Sequence, residues 1–192
     1  MLKSLELKNF RGFQDHRVEF APFSLLIGQN NAGKTTLIEA LRIISLAQRR
    51  APTANFVMGP RSVESEVTGP MFPVSLASIG FEHSSVHHRY DRESPAIIRA
   101  RMKNNCQVTV VIGPEHNDVF CQLQEPGGKK VNNRNISGNP KFGRVLVMPP
   151  IGHLLEHEAP LSAAYMKQNM VGYRAHRHIR NQMYEALGSG LI

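Results

Sequence analysis

Gly28-Gln29-Asn30-Asn31-Ala32-Gly33-Lys34-Thr35 decides the reading of this chain. Its spacing is G-x-x-x-x-G-K-T, that of a loop that wraps phosphates. Gly28 and Gly33 can turn where a side chain would clash, so backbone N–H groups can converge on phosphate oxygens. Lys34 supplies a positive charge for the β- and γ-phosphates. The Thr35 hydroxyl is the expected ligand for Mg2+, with Thr36 beside it. Asn30, Asn31 and Ala32 lie inside the loop. Either asparagine is expected to touch nucleotide or a partner subunit, or to serve the loop alone. A glycine-rich turn with an exposed lysine is the alternative to a nucleotide site.

The flanks fit the motif. Phe23-Ser24-Leu25-Leu26-Ile27 is an almost continuous apolar run, which predicts a fully buried strand. From Thr36 to Gln48, the residues Leu37, Ile38, Leu41, Ile44 and Ala47 recur at helical spacing. The loop would therefore join a strand to a helix N-terminus, where unpaired N–H groups and the macrodipole favour an anion.

The chain has 192 residues, enough for one domain with a sizeable core. It is 41% hydrophobic and 20% charged, an ordinary globular composition. No apolar run reaches the roughly 18 residues of a transmembrane helix. The N-terminus does not resemble a signal peptide. Cys106 and Cys121 are too few for a disulfide framework and read as buried free thiols in strands. Together these features predict a cytoplasmic protein without membrane contact. The net charge of +8 attracts polyanions. That is compatible with DNA, and equally with the phosphates of a nucleotide.

Leu5 and Leu7 alternate with Glu6 and Lys8 as a half-buried strand, Asn9 to Phe13 turns, and Arg17 to Phe20 forms a second short strand. Residues 1–48 thus form a strand–loop–helix core. Residues 49–73 carry Pro52, Pro60, Pro70 and Pro73 and read as a long loop or insertion. Residues 74–148 read mainly as a β meander. A short helix is expected within 74–90, then strands at Ala96–Met102, Gln107–Ile112 and Val119–Gln124, a polar loop from Glu125 to Phe142, and a strand at Arg144–Met148. Residues 149–192 read as mainly helical, with an apolar stripe of Ala175, Ile179, Met183 and Leu187.

Leu7-Lys8-Asn9-Phe10-Arg11-Gly12-Phe13, together with the loop and Thr36-Leu37-Ile38-Glu39-Ala40-Leu41, resembles the opening of ABC-type ATPase heads in genome-maintenance proteins. These include SMC-type ATPases, RecF-like repair ATPases and the OLD (overcoming lysogenisation defect) nucleases. The Asn-Asn-Ala-Gly-Lys form of the loop is most similar to OLD-like prokaryotic ATPases, many of them in antiphage defence. Pro149 to Gly152 and Gly172 to Tyr184 resemble the segment after the Q-loop strand in OLD-like heads, although no glutamine stands at Gly152, where a Q-loop-like element would approach the metal. The resemblance implies an α/β fold: a P-loop NTPase, ABC-type head with an antiparallel β meander. It implies ATP and Mg2+ as cofactors, ATP-driven head dimerisation, and Arg11 close to the bound nucleotide.

Such a head also needs a Walker B strand ending in Asp-Glu and a Leu-Ser-Gly-Gly-type signature, and neither occurs here. The expectation is therefore a single partial ATPase domain lacking the Walker B half. It would be a truncated gene product, a fragment or one piece of a split protein, with any toprim nuclease domain beyond Ile192. Its partner would be a second copy or the missing C-terminal half. No catalytic residue is assigned, because hydrolysis needs water positioning that Lys34 and Thr35 do not supply. The function expected is ATP binding for a DNA-processing, DNA-repair or antiphage-defence protein. The alternative is a non-hydrolysing nucleotide-binding module that supplies a half-site to a partner.

His83, His87 and His88 are conceivable zinc ligands but read better as solvated surface histidines. Lys167, Arg174, Arg177 and Arg180, with His176 and His178, read as a solvated helix face; contact with the DNA backbone is the alternative. Asp15 reads as a solvated loop charge.

Overall fold

The computed structural model describes residues 1–64, 67–79, 81, 83–115, 118–132, 142–147, 162 and 187. Two compact units divide the chain, Met1–Ser75 with Glu82–Val145, and Leu76–Phe81 with Leu146–Ile192.

The first unit is built on antiparallel pairings. Its strands are β1 (Leu2–Phe10), β2 (Phe13–Glu19), β3 (Val57–Met58), β4 (Pro70–Pro73), β5 (Ala96–Met102), β6 (Gln107–Ile112) and β7 (Val119–Gln124). Their order across the sheet is β2-β1-β5-β6-β7-β4-β3. The three meander strands have the bounds that their runs and intervening turn residues predict. Asn105, at φ 62°, turns β5 into β6, a conformation that asparagine tolerates better than most residues. The N-terminal hairpin is longer than its sequence suggests. Only Arg11 and Gly12 turn, and Asp15 lies within β2 opposite Lys8 rather than in a loop.

One face of the sheet is apolar. Leu5, Leu7, Ile98, Ala100, Val108, Val110, Cys121 and Leu123 are buried there at alternate positions. Helix α1 (Lys34–Arg50) packs against β5 and β6, burying Leu37, Ala40, Ile43, Ile44, Ser45 and Ala47. Each large aliphatic side chain so buried stabilises the fold by about 1.5–3 kcal/mol. The stripe is rotated slightly from the expected one, since Ile38 is exposed and Leu41 only half-buried. Arg49 and Arg50 sit in the last turn, where the dipole favours cations. Pro52, which has no N–H to donate, then ends the helix in a short 3-10 turn, Ala51–Thr53.

The opposite face carries a polar row. Glu6 bridges Arg17 (3.2 Å) and Arg99 (2.9 Å), and the register continues through Thr109 to Gln122. The Gln122 amide Nε2 donates to Thr68 O at 2.8 Å. Nearby, Val63, Val67 and Met71 cover Ile97 and Val111.

Several expectations fail here. Phe23–Ile27 forms no strand. Phe23 is 83% and Ile27 84% exposed, and Leu25 and Leu26 also face solvent. A buried strand needs neighbours on both edges, and none of the described strands pairs with this run. Residues 49–73 are not a plain loop, because β4 joins the sheet beside β7 and buries Met71 and Phe72. Its prolines bound a strand too short to show a period. The stretch 74–90 holds 3-10 turns (Ala77–Ile79, His83–Ser85, His88–Tyr90) in place of the expected short helix. Arg144 to Val147 is not in a strand, and Met148 lies outside the described residues. Gln48, near the end of α1, holds this stretch with both ends of its amide. Nε2 donates to Phe142 O (3.1 Å), and Oε1 accepts from Val145 N (2.8 Å). Cys121 is a strand residue, whereas Cys106 sits just before β6; both are buried thiols.

In the second unit, Ala77–Ile79 is closed by Ile79 N donating to Leu76 O at 3.1 Å. The stripe residues Ala175, Ile179 and Met183, and the basic residues from Lys167 to Arg180, fall outside the described residues. Leu187 is exposed.

Candidate nucleotide-binding site

The loop ends in left-handed backbone. Asn31 has φ 67° and Gly33 φ 86°. Gly33 is the N-cap of α1, and no side chain caps the helix. The first helical bond runs from Leu37 N to Gly33 O (3.0 Å), so the N–H groups of Lys34, Thr35 and Thr36 lie ahead of the ladder at the positive end of the dipole. Lys34 folds back over the loop. Its Nζ donates to Gly28 O at 2.6 Å and to Gln29 O at 2.7 Å. Two carbonyls thus fix the ammonium beside the helix start, with its third proton left to donate. Gly28, Gln29, Asn30, Asn31, Ala32 and Thr35 are exposed, while Gly33, Lys34 and Thr36 are half-buried. The sequence-predicted loop residues are therefore together, at one end of α1.

Gly33 is needed for a second reason. A methyl group there would lie 3.0 Å from Phe13 Cε2 and 3.2 Å from Cε1, and closer still to Cζ. Phe13, the first residue of β2, therefore packs directly on the loop. His16 stacks on Phe13, with ring centroids 4.6 Å apart and planes 8° from parallel.

Arg11 stands at the hairpin tip with φ 49°. Its Nε lies 3.0 Å from Glu39 Oε2 on α1, an ion pair in which each side chain is about a quarter exposed. The tip is held from the other side by residues 86–94. Arg11 N donates to Val86 O (2.6 Å), and His88 Nδ1 lies 2.8 Å from Arg11 O. A carbonyl can only accept, so Nδ1 is the donor in this contact. Asn9 Nδ2 donates to Asp91 O and Ser94 O, and Asn9 Oδ1 accepts from His88 N. These bonds offset the cost of positive φ at Asn9 and Arg11.

The histidines are not solvated, contrary to expectation. His83 and His87 are 8% and 3% exposed and meet edge to face at 5.8 Å. His87 Nε2 donates to Ile112 O at 3.3 Å. Burial, with His83 and Arg92 nearby, holds the His87 pKa below its ordinary value, although the Ile112 carbonyl and Asp91 act the other way. Among the described residues no group of three or more His, Cys, Asp or Glu could hold a metal ion.

Asn9, Phe13, His16 and Glu39 were not singled out by sequence as site residues, and His88 only as a conceivable zinc ligand. Only the fold brings them to the hairpin tip and the loop.

An uncapped helix start behind a lysine-braced glycine loop defines the class, an α/β nucleotide-binding ATPase domain. The chain belongs to the AAA ATPase domain family, which matches over residues 1–106. It is similar to the DNA replication and repair protein RecF of Lactococcus lactis subsp. cremoris (strain MG1363), 42% identical over 48 residues, which are 24% of this chain and 13% of that protein. RecF of Synechococcus sp. (strain JA-2-3B'a(2-13)) is 44% identical over 52 residues, 26% and 14% of the two chains. RecF of Listeria monocytogenes serotype 4b (strain CLIP80459) is 37% identical over 84 residues, 40% and 23% of the two. The match spans only 13 to 23% of the length of these relatives. No helix among the described residues is long and apolar enough to cross a membrane.

Proposed function

We propose that this chain is the ATP-binding part of an ATPase of DNA replication or repair, with Mg·ATP held on the loop from Gly28 to Thr36. The observation that carries this is Lys34 Nζ, fixed by Gly28 O and Gln29 O in front of an uncapped helix. Backbone N–H groups of the loop and helix start would bind the β-phosphate. Lys34 would reach the β- and γ-phosphates, and the exposed Thr35 hydroxyl would hold Mg2+. When bound, the metal would neutralise phosphate charge. Asn30, Asn31 and Ala32 would line the phosphates. Arg11 would lie at the nucleotide's edge, steadied by Glu39.

ATP would drive association of two heads. The exposed apolar run Phe23–Ile27 supports the packing of a further element of the head, because such a run is costly to leave in water. Similarity to RecF supports DNA as a partner. The Asn-Asn-Ala-Gly-Lys loop supports the finer reading of an OLD-like protein in antiphage defence. Turnover by this chain alone would be small, since no Asp-Glu pair is present to activate water.

The test is calorimetry of Mg·ATP binding to the wild type and to Lys34→Ala. Binding by the wild type that the substitution abolishes is the expected result. A folded wild type that binds no Mg·ATP, or a Lys34→Ala variant that binds as tightly, would overturn the proposal.

A further inference from the structure

We infer that Asn9 is a positioning residue for Arg11: its side-chain amide ties the hairpin tip to residues 88–94 and so sets where the guanidinium stands at the nucleotide site. This rests on the reading above, in which Arg11 lies at the nucleotide's edge. The tip is beside the loop, because Phe13, on the far side of the turn, touches Gly33. Arg11 Nε meets Glu39 on the helix that Lys34 begins. Asn9 uses its whole amide. Nδ2 donates to Asp91 O at 3.0 Å and to Ser94 O at 2.7 Å, and Oδ1 accepts from His88 N at 3.0 Å. All three partners are backbone atoms, so the tie follows the path of the chain whatever side chains stand at 88, 91 and 94. The same stretch grips the backbone of Arg11, with Val86 O accepting from Arg11 N and His88 Nδ1 donating to Arg11 O. Between these contacts Phe10 pairs with His87.

The backbone is strained on both sides of this seam. Asn9 and Arg11 have φ 46° and 49°, and Arg89 and Tyr90 have 51° and 62°. Asparagine takes such angles more readily than arginine or tyrosine. Strain of this kind persists only where the surroundings over-determine it, and it gathers at functional positions. A glycine at position 11 would close the hairpin without strain. Arginine there sets a long cation against α1 instead, and the bonds of Asn9 hold the backbone that carries it.

Calorimetric titration of the full chain with Mg·ATP, for the wild type, Asn9→Ala, Arg11→Ala and the double variant, separates positioning from plain stability. Arg11→Ala is expected to weaken binding about 10- to 100-fold, the range of a hydrogen bond to a charged group. Asn9→Ala, which leaves the cation present but untied, should weaken it about 3- to 10-fold, and by less than about 2-fold once Arg11 is gone. If Asn9→Ala does not fold, Asn9→Gly takes its place in the cycle, because glycine adopts φ 46° without strain. Wild-type affinity in the Asn9 variant, or the same loss with and without Arg11, would overturn the inference while the phosphate loop stands. Wild-type affinity in Arg11→Ala would remove Arg11 from the nucleotide and the positioning role with it, leaving Lys34 and the loop in place. If the wild type binds no Mg·ATP, the positioning role and the nucleotide reading fall together.

Discussion

Substituting Gly33 with alanine should disturb the loop by two separable routes. The residue has φ 86°, where an L side chain costs about 1–2 kcal/mol. The new methyl would also enter the Phe13 ring, 3.0 Å from Cε2 and closer to Cζ. Phe13 must then leave its place on the loop, an overpacking cost of about 1–3 kcal/mol. Gly33→Ala should therefore destabilise the protein by about 2–5 kcal/mol. In a Phe13→Ala background the ring is absent and only the backbone cost of about 1–2 kcal/mol remains. Urea unfolding of wild type, both single variants and the double variant closes the cycle. The expected coupling is about 1–3 kcal/mol, with the double variant more stable than the singles would sum to. If Gly33→Ala costs the same in both backgrounds within about 0.5 kcal/mol, Phe13 does not rest on the loop and the contact is refuted.

Phe72 is fully buried and meets Phe56 at 5.1 Å, so Phe72→Ala should cost about 3–5 kcal/mol by urea unfolding. Val57→Thr, on the exposed β3, should cost less than about 0.5 kcal/mol. The His87 pKa is lowered in the fold, so the unfolded chain takes up a proton first as pH falls. Its contribution is then fully present above the ordinary value of 6.5 and is lost as pH drops through and below it. His87→Gln should therefore flatten the fall in urea midpoint between neutral and mildly acid pH; an unchanged pH slope would remove His87 as the cause. Cys106 and Cys121 are buried, and burial pushes the Cys121 thiol well above its usual range. A thiol reagent such as DTNB should label neither in the native protein and both in urea; rapid native labelling would contradict their burial.

The sequence spoke clearly where one residue's pattern carried its own context. β5 to β7 are short runs rich in β-branched residues and bounded by turn residues such as Asn104-Asn105 and Gly113-Pro114, and the bounds followed. The loop motif likewise predicts a local geometry, and Gly33, Lys34 and α1 take it. Failures came where context lies far away in the chain. Phe23–Ile27 is apolar enough for a buried strand, yet burial is decided by neighbouring strands and not by the run itself. Phe72 is one buried ring between prolines, a signal without a period. His83 and His87 look like surface residues until the hairpin tip and Ile112 close over them. Phe13 is adjacent to Gly33 in space alone, and no spacing within the chain announces it.

The seat of β1 between β2 and β5 has a consequence for how the chain is made. β1 leaves the ribosome before β5, so one of its two edges waits for β5, whose residues follow about 90–100 positions later, roughly 5–20 s at ordinary synthesis rates. During that interval the β1–β2 hairpin and α1 are outside the ribosome with no sheet to cover the helix's apolar face. Synthesis speed across the β5–β7 stretch then sets how long that face is open to chaperones or to aggregation. Synonymous codon changes that slow residues 96–124 should lower the yield of folded protein without altering a single contact in it.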